Sequence, residues 1–129
     1  MLAISICTAL AAIIEAFYDA KNILKGKTIE HNFSALMRVL GVFLMCLIAL
    51  QGSILYIVLL TVIQLTVFWI VFDIAINLFR FRDIKMALYI GKTSKVDKFF
   101  GSISSISGGW RYLLMKITLL LTLLAVWYS

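Results

Sequence analysis

The chain has 129 residues, of which 64% are hydrophobic and 14% are charged, and its formal net charge is +6. A water-soluble domain of this length leaves a large share of its surface exposed, so the composition excludes an ordinary soluble fold. The apolar runs do not alternate as the strands of a transmembrane barrel do, which leaves helices as the structure that lipid allows. We therefore predict an all-α integral membrane protein, with residues 1–129 forming a single transmembrane domain.

Four apolar segments are predicted as membrane-spanning helices, since about 17–25 residues suffice to cross a bilayer. They cover residues 2–24, 33–51, 54–79 and 110–128. Between the second and the third, Gln51, Gly52 and Ser53 form a predicted tight turn, in which glycine supplies the permissive backbone. The predicted architecture is a four-transmembrane-helix bundle.

A fifth, shorter helix is predicted in the polar segment between the third and fourth spans. Ser94 and Asp97 have the spacing of a helix-start capping box. The apolar residues that share one face after it are Val96, Phe99, Phe100, Ile103 and Ile106. The pattern predicts an interfacial amphipathic helix over residues 95–106. Covering the inner mouth of the bundle is one interpretation of it, and a gate or lipid-sensing element is the other.

The charged residues define the predicted orientation. All 12 basic and 6 acidic residues lie within residues 15–38 or 73–116. Four spans put these two segments on the same side, and the excess of Lys and Arg assigns that side to the cytoplasm. Both termini are then non-cytoplasmic, and we expect a bacterial or phage-encoded protein of the inner membrane. Arg38 and Lys116 lie near the inner ends of their helices, where long side chains are expected to extend to water.

The predicted partners follow from charge and helix packing. The basic face attracts anionic phospholipids of the bilayer, and no folded basic domain remains to bind nucleic acid. Small residues on the first two helices, namely Ala9, Ala11, Ala12 and Gly41, permit close helix packing, so we expect a homo-oligomer or a membrane-protein partner.

Polar side chains recur at the spacing i, i+4, i+7 on the first and third predicted helices, so each set shares one helix face. They are Glu15, Asp19 and Asn22 on the first helix, Asp73, Asn77 and Arg80 on the third, with Arg38 and His31 close by in sequence. Ionisable residues in or near a membrane usually face a protein interior or a water-filled cavity. This set is the candidate polar site, at the cytoplasmic end of the bundle.

Three interpretations of the candidate site stay open. The first is internal ion pairing, of Asp73 with Arg80 and of Glu15 or Asp19 with Arg38 or Lys116. The second is a divalent cation held by Glu15, Asp19, Asp73 and His31, ligand types that suit Mg, Mn or Zn, or a bound lipid phosphate. In the third, Glu15 or Asp73 is a protonatable carrier.

The predicted function is a small polytopic membrane protein whose cytoplasm-facing polar site binds a divalent cation or lipid phosphate. The alternative is a small ion- or proton-coupled transporter, channel or holin-like pore. No fixed motif links the polar residues, so the sequence assigns no catalytic residue and leaves open whether the protein is an enzyme.

Overall fold

The structure, a computed structural model, describes residues 1–27, 31–50, 52–87 and 109–129, without the side chains of residues 31–33 and 85. Within these ranges the chain forms four α-helices and no strand. They are α1 (Leu2–Leu24), α2 (His31–Ala49), α3 (Ile54–Phe81) and α4 (Gly109–Tyr128), with a 3-10 turn at Ile84–Met86 after α3. The all-α prediction is confirmed for this part of the chain. The amphipathic helix predicted over residues 95–106 lies outside the described residues.

Three of the helices are long and apolar enough to cross a membrane. They are α1 with 23 residues, α3 with 28 and α4 with 20. The apolar stretch described in α2, Ser34–Ala49, is shorter. Helices of this length and composition indicate a membrane protein, as the sequence predicts.

The central helix is α3, which packs against each of the other three. Its most extensive neighbour is α1, whose buried residues Thr8, Ala12, Ala16 and Ala20 form a stripe at intervals of four. Small side chains at this spacing let two helix backbones approach closely. Ala12, which the sequence assigned to self-association, is therefore buried within the chain, whereas Ala11 and Gly41 are exposed.

Contacts between side chains fix the helix directions. α1 runs parallel to α3, because Ser5 bonds to Gln64 and Phe17 packs on Phe79. α4 runs antiparallel to α3, as shown by the ring contacts of Tyr56 with Trp127 and of Trp69 with Tyr112. α2 is also antiparallel to α3, since Arg38 lies over Phe72 while Cys46 packs with Ile57. One end of the molecule thus collects the end of α1, the start of α2, the end of α3 and the start of α4.

The opposite end of the molecule is closed by an apolar core. Its buried members are Val42, Cys46, Ile57 and Leu60, and Ile4 and Trp127 pack against them. All four helices therefore meet at the end that holds Met1 and Ser129. The helix ends that carry charged residues meet at the other end.

Candidate functional site

Arg38 of α2 connects α2 to two acidic residues on α1. Its Nε donates to Glu15 Oε1 at 2.6 Å, and its Nη2 lies 3.5 Å from Asp19 Oδ2. Ser34 Oγ donates to the same Glu15 oxygen at 2.7 Å. Ser34 and Arg38 are one turn apart on α2, as Glu15 and Asp19 are on α1, so the polar faces of two helices match in register. We call these four residues the Arg38 cluster.

The guanidinium of Arg38 is also held by α3. It lies 4.5 Å from the ring centre of Phe72 and 5.5 Å from that of Phe68, within the range of cation–π attraction. Its Nη2 is buried and has no hydrogen-bond partner among the residues that the structure describes, so its 3.5 Å contact with Asp19 is one of charge. Arg38 therefore ties α1, α2 and α3 together.

A second buried cation lies between α3 and α4. The ammonium of Lys116 contacts the Asp73 carboxylate and lies 3.9 Å from the ring centre of Tyr112 and 4.3 Å from that of Trp69. The Lys116 side chain is only 2% exposed. The prediction that Lys116 extends to water is therefore wrong. A carboxylate and two ring faces replace the water that the ammonium would otherwise reach.

The acidic residues of the candidate site thus occupy two separate ion-pair groups. Glu15 and Asp19 pair with Arg38, as the ion-pair interpretation predicts, and Asp73 pairs with Lys116. The pair that the structure shows for Asp73 is not the predicted one with Arg80, whose guanidinium lies 5.1 Å from the centre of the Phe81 ring.

The remaining residues of the candidate site have backbone or structural roles where they are described. Asn77 is 5% exposed, and its Nδ2 donates to the Ala87 carbonyl at 3.1 Å, which ties the turn after α3 to that helix. The Asn22 carbonyl accepts from the Lys27 amide at 3.0 Å where α1 ends. His31 begins α2, and its side chain lies outside the described part of the structure.

Metal ligands do not converge in the described part of the chain. No group of three or more His, Cys, Asp or Glu side chains there could hold a metal ion. The Arg38 cation also lies between Glu15 and Asp19, which places a positive charge where a bound metal would have to fit.

A crevice opens beside the Arg38 cluster, between α1 and α2 and against α3. Its volume is about 450 Å³. Glu15, Ser34 and Arg38 form its polar end. The rest is lined by Thr8 and by the apolar residues Ala11, Met37, Gly41, Val42, Met45 and Phe68. Along α2 this lining extends from Ser34 to Met45, about 16 Å at 1.5 Å per residue.

No family model, curated protein or solved structure matches the chain. The proposed function therefore rests on the geometry of the crevice and its polar end.

Sequence reasoning missed three polar residues inside the apolar runs. Ser34 lines the crevice, and its position one turn before Arg38 in the sequence could have indicated this. Gln64, fully buried in the middle of α3, donates from Nε2 to Ser5 Oγ at 3.0 Å. Thr8 lines the crevice and is fully buried, and its hydroxyl has no hydrogen-bond partner within the described ranges of the chain. A lone polar residue in an apolar helix gives no sign of which neighbour it will meet.

Proposed function

We propose that the protein is a four-span membrane protein that binds the head group of a membrane lipid at the Arg38 cluster. The parallel directions of α1 and α3 support the fourth span, because the chain between two parallel spans has to cross back. α2 lies in that connection and has 19 residues, about 28 Å. This length is close to the hydrocarbon thickness of a bilayer, about 30 Å.

The orientation rests on the charged end of the molecule, which the positive-inside rule assigns to the cytoplasm. We expect a membrane-impermeant thiol reagent applied from outside intact cells to label Ser53→Cys and to spare Lys27→Cys and Arg82→Cys. The background for these variants replaces Cys7 and Cys46 by Ala. Labelling of either Lys27→Cys or Arg82→Cys from outside would contradict the topology.

Lipid binding rests on one observation, that three residues of the Arg38 cluster, Glu15, Ser34 and Arg38, form the polar end of a crevice whose remaining lining is apolar apart from Thr8. A ligand that complements such a site joins a polar group to an apolar body. The bilayer itself consists of such molecules. Glu15 precedes Lys21 by six residues, about 9 Å along α1, so the cluster lies just inside the charged end, where head groups give way to acyl chains.

A transporter is the second candidate function, and one observation favours it. Glu15 is an acidic residue within an apolar helix, yet its side chain keeps 29% of its surface exposed, in the crevice. Such a carboxylate can exchange a proton or a cation with a ligand. Proton-driven flux into liposomes that is lost in Glu15→Gln would favour transport, whereas lipid retention that depends on Arg38 and Ser34, without any such flux, would favour lipid binding.

The test of lipid binding is the lipid that the full-length protein retains after purification in mild detergent, counted by native mass spectrometry. Arg38→Gln and Ser34→Ala alter the cluster, and Arg111→Gln is the control with a matched charge change at an exposed position. We expect several-fold less bound lipid in the two cluster variants and no change in the control.

Equal lipid retention in all four proteins would overturn lipid binding at this site. Retention of Mg²⁺ or Mn²⁺ that disappears in Glu15→Gln would instead favour the divalent-cation hypothesis, and the same samples can be analysed for metal.

A further inference from the structure

We infer that the crevice takes one acyl chain of a lipid whose head group carries an ammonium, and that this ammonium binds the Glu15 carboxylate. The inference rests on the lipid binding proposed above and adds the chemical class of the head group.

The exposure of the charged side chains in the Arg38 cluster determines which charge a ligand in the crevice meets. Two carboxylates, Glu15 and Asp19, contact the guanidinium of Arg38. Glu15 has the largest exposed fraction of these three charged side chains, 29% against 19% for Arg38 and 13% for Asp19. The group that a ligand in the crevice meets most openly is therefore an anion, which attracts a cation and opposes a bare phosphate.

The hydrogen bonds to the Glu15 carboxylate are made to only one of its two oxygens in the described part of the chain. Arg38 and Ser34 both donate to its Oε1. Its Oε2 accepts no hydrogen bond from the part of the chain that the structure describes. A primary ammonium supplies the N–H donors that this oxygen lacks, and such a charge-assisted bond is stronger than a neutral one. A quaternary ammonium has no N–H and cannot make it.

The apolar part of the crevice has room for a lipid chain. Its volume, about 450 Å³, lies in the range of pockets that hold a single ligand, about 300–1,000 Å³. A Cβ added at Gly41 would meet no heavy atom within 4 Å, so the crevice is open at its middle. An empty apolar space loses dispersion contacts on its lining, and in a bilayer the molecule at hand to fill it is a lipid chain.

The experiment places the full-length protein in nanodiscs with equal amounts of phospholipids bearing ethanolamine, choline and glycerol head groups on identical acyl chains. The lipids that stay bound on release into mild detergent are identified by native mass spectrometry. We expect the ethanolamine lipid to be enriched roughly tenfold over the other two, the size of effect that one charge-assisted hydrogen bond gives.

Two variants separate the head group from the chain. Glu15→Gln should keep bound lipid and lose the preference for ethanolamine. Gly41→Leu should lose lipid of every head group, because its side chain fills the crevice. Leucine at a mid-helix glycine position raises helix propensity, so unfolding would not explain that loss. Ala35→Leu, on the same helix but outside the crevice lining, is the control that should retain lipid.

The outcomes distinguish the two proposals. Lipid that depends on Arg38 and Ser34 but shows no preference among head groups would overturn the ammonium inference and leave lipid binding standing. Enrichment of the glycerol or choline lipid would overturn it in the same way. Absence of any retained lipid, in wild type as in the variants, would overturn both.

Discussion

Replacing Asp73 by Asn should destabilise the protein by about 3 kcal/mol, because it leaves the buried Lys116 ammonium without the carboxylate that contacts it. Loss of one partner of a buried ion pair usually costs about 3–5 kcal/mol. The lower value applies here because the faces of Trp69 and Tyr112 still attract the ammonium, a contribution of about 2 kcal/mol when desolvated.

The opposite replacement should cost less. Lys116→Met keeps the volume of the side chain and removes the charge that is 2% exposed. The carboxylate left behind is 33% exposed, so water can still solvate it, and we expect a loss of about 1 kcal/mol. The double variant Asp73→Asn, Lys116→Met should lie within about 1 kcal/mol of wild type, since apolar replacement of a whole buried pair is often neutral.

The measurement is the free energy of unfolding in mixed micelles of a mild detergent and dodecyl sulfate, followed by circular dichroism. All three proteins are compared with wild type in one series. If Lys116→Met costs as much as Asp73→Asn, or if the double variant costs the sum of the two, the buried ammonium is not what makes this site sensitive.

Three further predictions concern the other helix contacts, and the same unfolding assay checks the first two. Arg38→Lys should lower the free energy of unfolding by about 1–2 kcal/mol, because an ammonium cannot both make the directed Nε bond to Glu15 and stack on rings as a guanidinium does. A free energy of unfolding equal to that of wild type would mean that the planar geometry of the guanidinium is unimportant. Ala16→Leu should cost about 1–3 kcal/mol by overfilling the α1–α3 contact, where Ala16 is fully buried, and a stability equal to wild type would contradict that close approach. Asn77→Leu should speed proteolysis after α3, because it removes the bond to the Ala87 carbonyl; an unchanged digestion rate would show that this bond does not hold the turn.

Helical structure and membrane location could be predicted because they depend on composition and on the length of apolar runs. Lipid leaves the backbone no alternative to the helix, so the long apolar run that became α3 was sufficient to identify it. The pairing of Arg38 with the acidic residues of α1 was also predictable, since only a few oppositely charged side chains lie near the same helix ends.

The choice among partners could not be predicted. From the sequence alone, either Lys116 or Arg80 could pair with Asp73. In the structure, α4 packs so that the Lys116 ammonium lies against the rings of Trp69 and Tyr112. The separation of the acidic residues onto different sides of α3 depends on the rotation of each helix, which spacing within one helix does not give. For the same reason the crevice had no sequence signal, because it lies between α1, α2 and α3 and depends on how these helices pack.

The length of α3 determines how far its last residues and the turn after it can extend beyond a bilayer's hydrocarbon layer. Its 28 residues extend about 42 Å, roughly 12 Å more than the hydrocarbon layer is thick. Two full turns of this helix must therefore stand clear of the acyl chains or be accommodated by a steep tilt. An upright α3 that begins at one edge of the hydrocarbon layer would carry Asn77, Arg80 and the turn at Ile84–Met86 beyond the acyl chains, among the head groups or in the water next to them.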